Sequence, residues 1–174
     1  MVTTHTTVET SLGELTLVGE DGLLSGIYFP GHWTRPDRNL FGERDSRGFE
    51  EVERQLHQYL AGERRSFELP TVMHGQPFQQ RVWEILSRIP YGQTTTYGEI
   101  AEVLGDPTLA RPVGGAVGHN PLAVIVPCHR VVGKNGTLTG YAGGLERKRF
   151  LLDLEAGLAP GAAVQTALLP WSVG

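Results

Sequence analysis

The sequence predicts an α+β fold in two parts, a lobe of antiparallel strands plus one helix followed by a mostly helical domain. The start of the chain contains three short segments rich in Val, Leu, Ile and Thr, separated by glycine-containing turns. Beyond residue 76, apolar residues recur at helical spacing. The 174 residues are 40% hydrophobic, which suffices for one substantial core or two small ones and excludes a disordered protein.

The first part, residues 1–75, is predicted to be a compact scaffold lobe. Its three strands should form an antiparallel meander and are Val2–Thr10, Leu12–Gly19 and Leu23–Phe29. Residues 30–47 are dominated by Gly, Pro, Asp and Arg and are predicted to form a loop. A helix is expected over Phe49–Ala61, and a last short strand over Phe67–Leu69. This part carries no catalytic signature.

The second part, residues 76–158, is predicted to be helical. Apolar spacing and capping residues define four helices, which cover residues 78–89, 97–104, 109–117 and 145–155. Thr95 or Thr96 can cap the second of these helices, and Gly105 terminates it. The second and third helices, joined by a tight turn, have the outline of a helix-turn-helix. Residues 159–174 carry no charge and are predicted to be a poorly ordered tail.

The third helix is unusually smooth. Gly114 and Gly115 lie in it and Gly118 follows directly, and a glycine inside a helix costs about 1 kcal/mol relative to alanine. Close backbone approach to a partner would explain them, and so would tight packing against a neighbouring helix. If the partner is DNA, so slim a helix suits the minor groove better than the major groove, with Arg111 free to contact a phosphate or enter the base stack.

Cys128 is the only cysteine of the chain, and it lies in Pro127-Cys128-His129-Arg130-Val131-Val132 after the apolar run 122–126. It cannot form an internal disulfide, and a structural zinc site usually needs several thiolates. The remaining interpretations are buried filler and a reactive sulfur. His129 and the cations Arg130 and Lys134 favour the thiolate, and therefore a nucleophile.

Charge is distributed unevenly along the chain. The net charge is −4, but residues 1–75 carry seven basic against twelve acidic residues, whereas residues 76–158 carry eight against seven. A polyanionic partner should therefore contact the second part, and shape or a specific pocket must supply most of the discrimination. No apolar run is long enough to span a membrane, and a solitary cysteine fits the reducing cytoplasm.

Several motifs in residues 78–156 resemble those of the O6-alkylguanine-DNA alkyltransferase family (methylated-DNA--protein-cysteine methyltransferases), in the expected order. The most specific is Pro127-Cys128-His129-Arg130-Val131. The others are Ile89-Pro90-Tyr91-Gly92, Thr96-Tyr97-Gly98-Glu99-Ile100-Ala101, Ala110-Arg111-Pro112-Val113-Gly114-Gly115-Ala116, Asn120-Pro121 and Gly140-Tyr141-Ala142-Gly143-Gly144.

The resemblance implies a ribonuclease-H-like first lobe and a second domain that binds double-stranded DNA through the minor groove and flips out the damaged base. The alkyl group of O6-alkylguanine, and also of O4-alkylthymine, would pass irreversibly to Cys128, once per protein molecule. Such a suicide alkyltransferase needs no cofactor. It would act as a monomer in the cytoplasm, with clustering of copies on DNA as a further expectation.

The resemblance also implies roles for individual residues. His129, acting through a water molecule with Glu155 behind it, would take the thiol proton, although its place at a helix end alone would predict a solvated Glu155. Asn120 would tie together the turns that lead to a cysteine strand. The catalytic set is then Cys128, His129, Glu155, Asn120 and Tyr97. The DNA-binding set is Arg111, Tyr97, Thr95, Thr96, Gly114, Gly115, Ala116 and Gly118. The base-pocket set is Tyr141, Ala142, Gly143, Val131 and Cys128, with main-chain carbonyls of Cys128 and Val131 accepting from the guanine amine.

Two departures from the family pattern limit this transfer. Ala142 stands where some relatives have serine, so only its backbone N–H can contribute. Some members bind zinc in the first lobe, but residues 1–75 contain no cysteine and their four histidines are scattered, so no metal is expected. Three alternatives remain open: a damage sensor that holds the base without reacting, a helix-turn-helix regulator, and a cysteine hydrolase.

Overall fold

The first lobe is built on a four-stranded sheet. The computed structural model describes residues 2–32 and 34–158. Its strands β1 (Thr3–Thr10), β2 (Gly13–Glu20) and β3 (Leu23–Tyr28) form the predicted antiparallel meander. The fourth strand, β4 (Glu43–Arg44), pairs in parallel with β1, which gives the order β3-β2-β1-β4. Helix α1 (Glu50–Leu60) follows and packs its apolar face on the lobe's core.

The predicted strand at Phe67–Leu69 is wrong, and the edge strand lies instead in the segment predicted as a loop. The backbone of Glu68 is occupied by a side chain, because its N–H donates to Gln55 Oε1 (2.9 Å) and its carbonyl accepts from Gln55 Nε2 (3.1 Å). Glu68 therefore has no groups left for a sheet ladder. Just beyond this segment, Thr71 forms an isolated β-bridge with Leu24.

The helices of the second part match the prediction closely. They are α2 (Pro77–Leu86), α3 (Tyr97–Val103), α4 (Ala110–Gly118) and α5 (Leu145–Glu155). The Thr96 side chain caps α3 by accepting from the Glu99 N–H, and Gly105 turns the chain afterwards with φ +94°. The first of these helices ends earlier than predicted, so that Ile89 lies beyond it, still buried.

A short parallel pairing not foreseen from the sequence joins the helix-turn-helix to the cysteine segment. Strand β5 (Thr95–Thr96), immediately before α3, pairs with β6 (Val131–Val132), three residues after Cys128. The start of α3 is thereby held close to the thiol.

The two lobes share one hydrophobic core. Its fully buried members come from both parts of the chain and include Leu15, Leu17, Ile27, Leu56, Val82, Leu86, Ile100, Leu122 and Leu151. Polar contacts reinforce the junction: the Ile27 N–H donates to Pro121 O (2.8 Å), and Thr34 Oγ1 donates to the Gly118 carbonyl at the end of α4 (2.8 Å). No helix in the described ranges is long and apolar enough to cross a membrane.

His32 should make the protein lose stability in mild acid. It is buried, its Nδ1 accepts from the Phe29 N–H (3.3 Å), and burial, with a smaller contribution from Arg35, lowers its pKa to about 4. The unfolded chain, with a histidine pKa near 6.5, binds more protons between pH 6.5 and 4, so stability should fall across that window by roughly 3 kcal/mol. In His32→Asn, which keeps an acceptor, the slope of unfolding free energy against pH there should flatten. An unchanged slope would contradict this assignment.

Candidate active site

Cys128 is the first residue of a single turn of 3₁₀ helix (Cys128–Arg130). Residues 123–125 before it form a turn, so the implied cysteine strand is wrong. The physical reason is Asn120. Its side chain donates to Val126 O (2.8 Å) and accepts from the Leu122 N–H (3.0 Å), which closes the segment into a turn. Val124 adopts φ +73° within it, a costly conformation for a β-branched residue. Asn120 thus fixes where the cysteine backbone begins.

Behind the cysteine lies a buried charge network centred on Glu155. One carboxylate oxygen, Oε2, accepts from His129 Nε2 (2.6 Å), Arg130 (3.0 Å) and the Tyr59 hydroxyl. The other oxygen, Oε1, accepts from Arg130 Nε (2.7 Å) and the Gly92 N–H (3.3 Å). Glu155 is therefore not a solvated helix end, because its carboxylate is 1% exposed.

This network determines which nitrogen of His129 can act as a base. Burial favours the neutral carboxyl, yet the charges and hydrogen bonds of His129 and Arg130 keep the pKa of Glu155 below its ordinary value. The carboxylate thus accepts a proton-bearing Nε2, and burial keeps the pKa of His129 below 6.5 despite the opposing effect of Glu155. The other nitrogen, Nδ1, has no hydrogen-bond partner within the described ranges. His129 can therefore receive a proton at Nδ1.

Cys128 is only 6% exposed, and burial raises the pKa of its thiol. Asn120, Lys148 and Tyr141 oppose this effect and lower the pKa, but burial dominates. In the resting protein the sulfur is therefore mostly protonated, and an attack on an electrophile requires a base close by.

A cavity of about 180 Å³ opens onto the sulfur. It is lined by Tyr97, Gly114, Val117, Gly118, Cys128, Gly140, Tyr141 and Ala142. The Tyr97 hydroxyl is 3.2 Å from Thr139 Oγ1. The buried Tyr141 hydroxyl makes no hydrogen bond of normal geometry in the described part of the chain, although it is close enough to Cys128 for each group to affect the other's pKa. The cavity thus combines aromatic walls, glycine backbone and one nucleophile.

Helix α4 forms the rim of this cavity and presents a small-residue surface. Arg111 is exposed, and Gly115 faces open space. Gly114 faces the Tyr97 ring, 3.8 Å from the position a Cβ would take. Ala116 differs from the other predicted DNA contacts, because it is buried and its carbonyl accepts from Trp83 Nε1 (2.8 Å). Of the predicted DNA contacts on α4, Arg111 and Gly115 are therefore exposed, whereas Gly114 and Gly118 are partly buried.

Other predicted site residues do not line the cavity. Thr95 is buried and bonds Glu99, next to the capping Thr96. Val131 is fully buried, and its carbonyl already accepts from Lys148 Nζ (2.6 Å). Gly143 is packed against a side chain of the first lobe. Each of these residues is therefore engaged by other parts of the protein.

Two side chains of the site were not singled out from the sequence. Lys148 is fully buried, its ammonium donates to the Val131 and Thr139 carbonyls, and burial lowers its pKa to about 8. Its spacing from Leu151, Leu152 and Glu155 on one helical face was a signal for burial. Tyr59 was recognisable only as a core position of α1, since its partner Glu155 is 96 residues away.

The fold and the site together define a class of protein. Its members are two-lobed α+β proteins with one thiol in a cavity beside a helix-turn-helix, and a histidine–glutamate pair lies behind that thiol. Two family models match the chain: the ribonuclease-like domain of 6-O-methylguanine DNA methyltransferase over residues 3–73, and its DNA binding domain over residues 77–157. The chain belongs to the 6-O-methylguanine DNA methyltransferase family.

Individual relatives are similar over nearly their whole length. The methylated-DNA--protein-cysteine methyltransferase of Mycolicibacterium paratuberculosis is 46% identical over 158 residues, covering 91% of this chain and 95% of the relative. The constitutive protein of the same name from Bacillus subtilis is 43% identical over 156 residues, covering 87% and 94%. The crystal structure of Mycobacterium tuberculosis OGT in complex with DNA superposes with a TM-score of 0.81 at 43% identity, covering 94% of this chain and 98% of that one.

Proposed function

We propose that the protein repairs double-stranded DNA by transferring the alkyl group of O6-alkylguanine, and of O4-alkylthymine, to Cys128 in a single irreversible step. The observation that carries the proposal is the position of Cys128, which lines a cavity bordered by α4 and directly precedes a histidine whose Nδ1 has no hydrogen-bond partner among the described residues. The family membership supports the same reaction.

The damaged base must leave the helix to react. The O6 atom lies on the major-groove edge of a stacked base, whereas the sulfur is almost fully buried. No in-line approach to a stacked base is available to so recessed a thiol, and we therefore propose base flipping into the cavity. Tyr97 would guide the nucleotide, and Tyr141 and Ala142 would form the wall beside the guanine ring, with Gly143 outside the cavity supporting them.

The chemistry is a displacement at the alkyl carbon. The thiol proton moves toward His129 Nδ1, directly or through a water molecule, while Glu155 holds the other end of the ring and stabilises its positive charge. A carbon–sulfur bond forms as the carbon–oxygen bond breaks, and the electron pair stays on guanine O6. The Tyr141 hydroxyl, which has no other partner of normal geometry in residues 2–32 and 34–158, can donate to the resulting anion. The product thioether does not hydrolyse, so the protein acts once.

Arg111 should matter for DNA more than for chemistry. It is exposed on α4, outside the cavity. We propose that it fills the gap left by the flipped base while Gly115 and Gly118 approach the DNA backbone. Arg111→Ala should slow repair of O6-methylguanine in duplex DNA by about ten- to a hundredfold, because extrusion costs a few kcal/mol. Reaction with free O6-benzylguanine base should be nearly unchanged. Time courses of alkyl transfer, measured separately with the duplex and with the free base, give the two rate constants.

Arg81→Ala is the matched control for this prediction, since Arg81 is exposed on α2 of the same domain. Its loss removes one positive charge without touching α4. Equal losses in both variants would mean that Arg111 contributes only general charge, and equal losses on duplex and free base would rule out its role in extrusion.

Stoichiometry tests the proposed function itself. Excess duplex containing O6-methylguanine should convert the protein completely to a form heavier by one methyl group in place of a hydrogen, and peptide mapping should place that group on Cys128. One equivalent of unmodified guanine should appear. A sensor would gain no mass, and a hydrolase would continue past one equivalent. Either result would refute the proposal.

We further propose a monomeric protein that works in the cytoplasm, with clustering only on DNA. Sedimentation of the protein, measured alone and with long DNA duplexes, distinguishes a monomer from copies clustered on DNA. A dimer without DNA would refute the first statement.

A further inference from the structure

Phe29 of the first lobe lies directly behind the predicted base-pocket loop of the second. It follows the end of β3 and is fully buried. A Cβ placed on Gly143 would be 2.7 Å from Cε2 and 3.0 Å from Cγ of its ring, so no side chain larger than hydrogen fits there. The ring thus limits how far this part of the loop can lie from the cavity.

The Phe29 ring is itself held in place by its neighbours. The His32 ring stacks on it, with centroids 5.8 Å apart and planes 14° from parallel, and the Phe29 N–H donates to His32 Nδ1. The Arg147 guanidinium lies 5.3 Å from the ring centroid. That same side chain donates to the Gly143 carbonyl (2.9 Å) and to the Leu12 carbonyl of the first lobe (2.7 Å). One arginine therefore binds the loop, the ring and the β1–β2 turn together.

Phe29 also contacts the part of the loop that faces the cavity. Its ring centroid is 5.8 Å from that of Tyr141, at an angle of 57°. Tyr141 and Ala142 line the cavity that contains the Cys128 sulfur, whereas Gly143 and Phe29 do not. In a close-packed interior, a wall supported in this way cannot move outward unless the residue behind it gives way.

We propose that Phe29 sets the largest alkyl group that the pocket accepts. This inference rests on the proposed function and deepens it, by assigning adduct size selection to a side chain that does not touch the substrate. A methyl group needs little space beside the sulfur. A benzyl group needs the wall at Tyr141 and Ala142 to move back, and Phe29 opposes that movement. Phe29 is in this sense a positioning residue contributed by a lobe without catalytic groups of its own.

Phe29→Ala should raise the ratio of the rate constants for O6-benzylguanine and O6-methylguanine, each in the same duplex, by about tenfold. One methylene-sized change in an apolar pocket gives discrimination of that order. Both rates come from one preparation and refer to its active molecules, so a lower folded fraction cancels from the ratio. Phe29→Leu, which keeps more of the core, should change the ratio in the same direction if the alanine variant does not fold.

Phe49→Ala is the matched control. Phe49 is a buried phenylalanine of the same lobe that also backs a glycine, with its Cζ 3.2 Å from a Cβ placed on Gly19. Unlike Phe29, it packs beside a different cavity, which is lined by neither Cys128 nor Tyr141. Its loss should reduce stability to a similar degree and leave the benzyl-to-methyl ratio unchanged. A comparable change in both variants would show that general loosening, and not Phe29, controls adduct size.

A second pair of variants tests the contact itself. Gly143→Ala should push the wall toward the sulfur and lower the benzyl-to-methyl ratio by about tenfold. Combining Gly143→Ala with Phe29→Ala gives the new methyl group the space that the ring occupied. Gly143→Ala should then no longer lower the ratio, which should stay about tenfold above that of the parent, as in Phe29→Ala alone. Additive effects of the two changes, which would bring the ratio of the double variant back to that of the parent, would refute the proposed contact.

The outcomes separate this inference from the proposed function. If the parent protein accepts no methyl group, the proposed function fails. If the parent transfers methyl but the ratio in Phe29→Ala and Phe29→Leu equals that of the parent, only the role of Phe29 fails.

Discussion

Replacing Cys128 by serine should abolish alkyl transfer while leaving recognition of the lesion intact. A hydroxyl has almost the size of a thiol, so the cavity under α4 should keep its shape. The hydroxyl is a far weaker nucleophile, and His129 cannot ionise it to a useful extent. The intact mass of the variant should stay constant over a day with duplex O6-methylguanine. Its affinity for the lesion-containing duplex should remain within about threefold of the parent, because no DNA contact is lost.

The same variant identifies the acceptor without ambiguity, because Cys128 is the only cysteine in the chain. Thermal unfolding provides the folding control, and a shift of a few degrees is expected for one polar exchange at a buried position. Any gain in mass by Cys128→Ser would transfer the acceptor role to another side chain and would contradict the mechanism.

Glu155→Gln should lower both the stability of the fold and the rate of alkyl transfer. The substitution keeps the shape but removes the negative charge that faces Arg130 and His129. A buried guanidinium left without its counter-charge costs about 3–5 kcal/mol. The amide has one acceptor oxygen to share between Arg130 and His129, so the Nε2 proton of His129 loses its charged acceptor, and a misplaced general base reduces the rate by about 10²–10⁴-fold. Chemical denaturation and single-turnover kinetics, the latter at a temperature where the variant is folded, measure the two losses separately.

Two comparisons make the Glu155 prediction specific. Glu84→Gln breaks another glutamate–arginine pair, with Arg88, but both side chains are exposed, so little change in stability or rate is expected. The double variant Glu155→Leu with Arg130→Met replaces the buried pair by apolar groups, and it should regain much of the stability without regaining the rate. A double variant as fast as the parent would show that Glu155 is structural only.

The sequence predicted the elements with strong local signals and missed those that depend on distant partners. The antiparallel meander, α1 and α5 follow from period and turn residues. The two-residue strands β4, β5 and β6 are too short for any periodic signal, and each exists because of a partner brought to it by the fold. The wrong strand at Phe67–Leu69 has the composition of one, but Gln55, a residue of α1, takes its backbone groups.

The residues of the site also divide into those with a local sequence signal and those whose role depends on a distant partner. Cys128 and His129 were recognisable from one short motif. Asn120 was recognisable as a turn residue, and the structure gives it the hydrogen bonds that close the turn. Tyr59 and Phe29 were recognisable only as apolar core positions, because nothing local to either residue indicates which part of the second lobe it will contact. Such roles become visible only when the two lobes are seen packed together.

The shared core has a consequence for how much damage a cell can clear. An ordinary enzyme tolerates a drop in its folded population, because the remaining molecules turn over more often. A protein that reacts only once cannot compensate in this way. The number of lesions that a cell can repair is then equal to the number of folded, unreacted molecules that it contains. Since strands and helices of both lobes meet in one apolar interior, a destabilising substitution as remote as Leu15 should lower that capacity in direct proportion to the molecules that unfold.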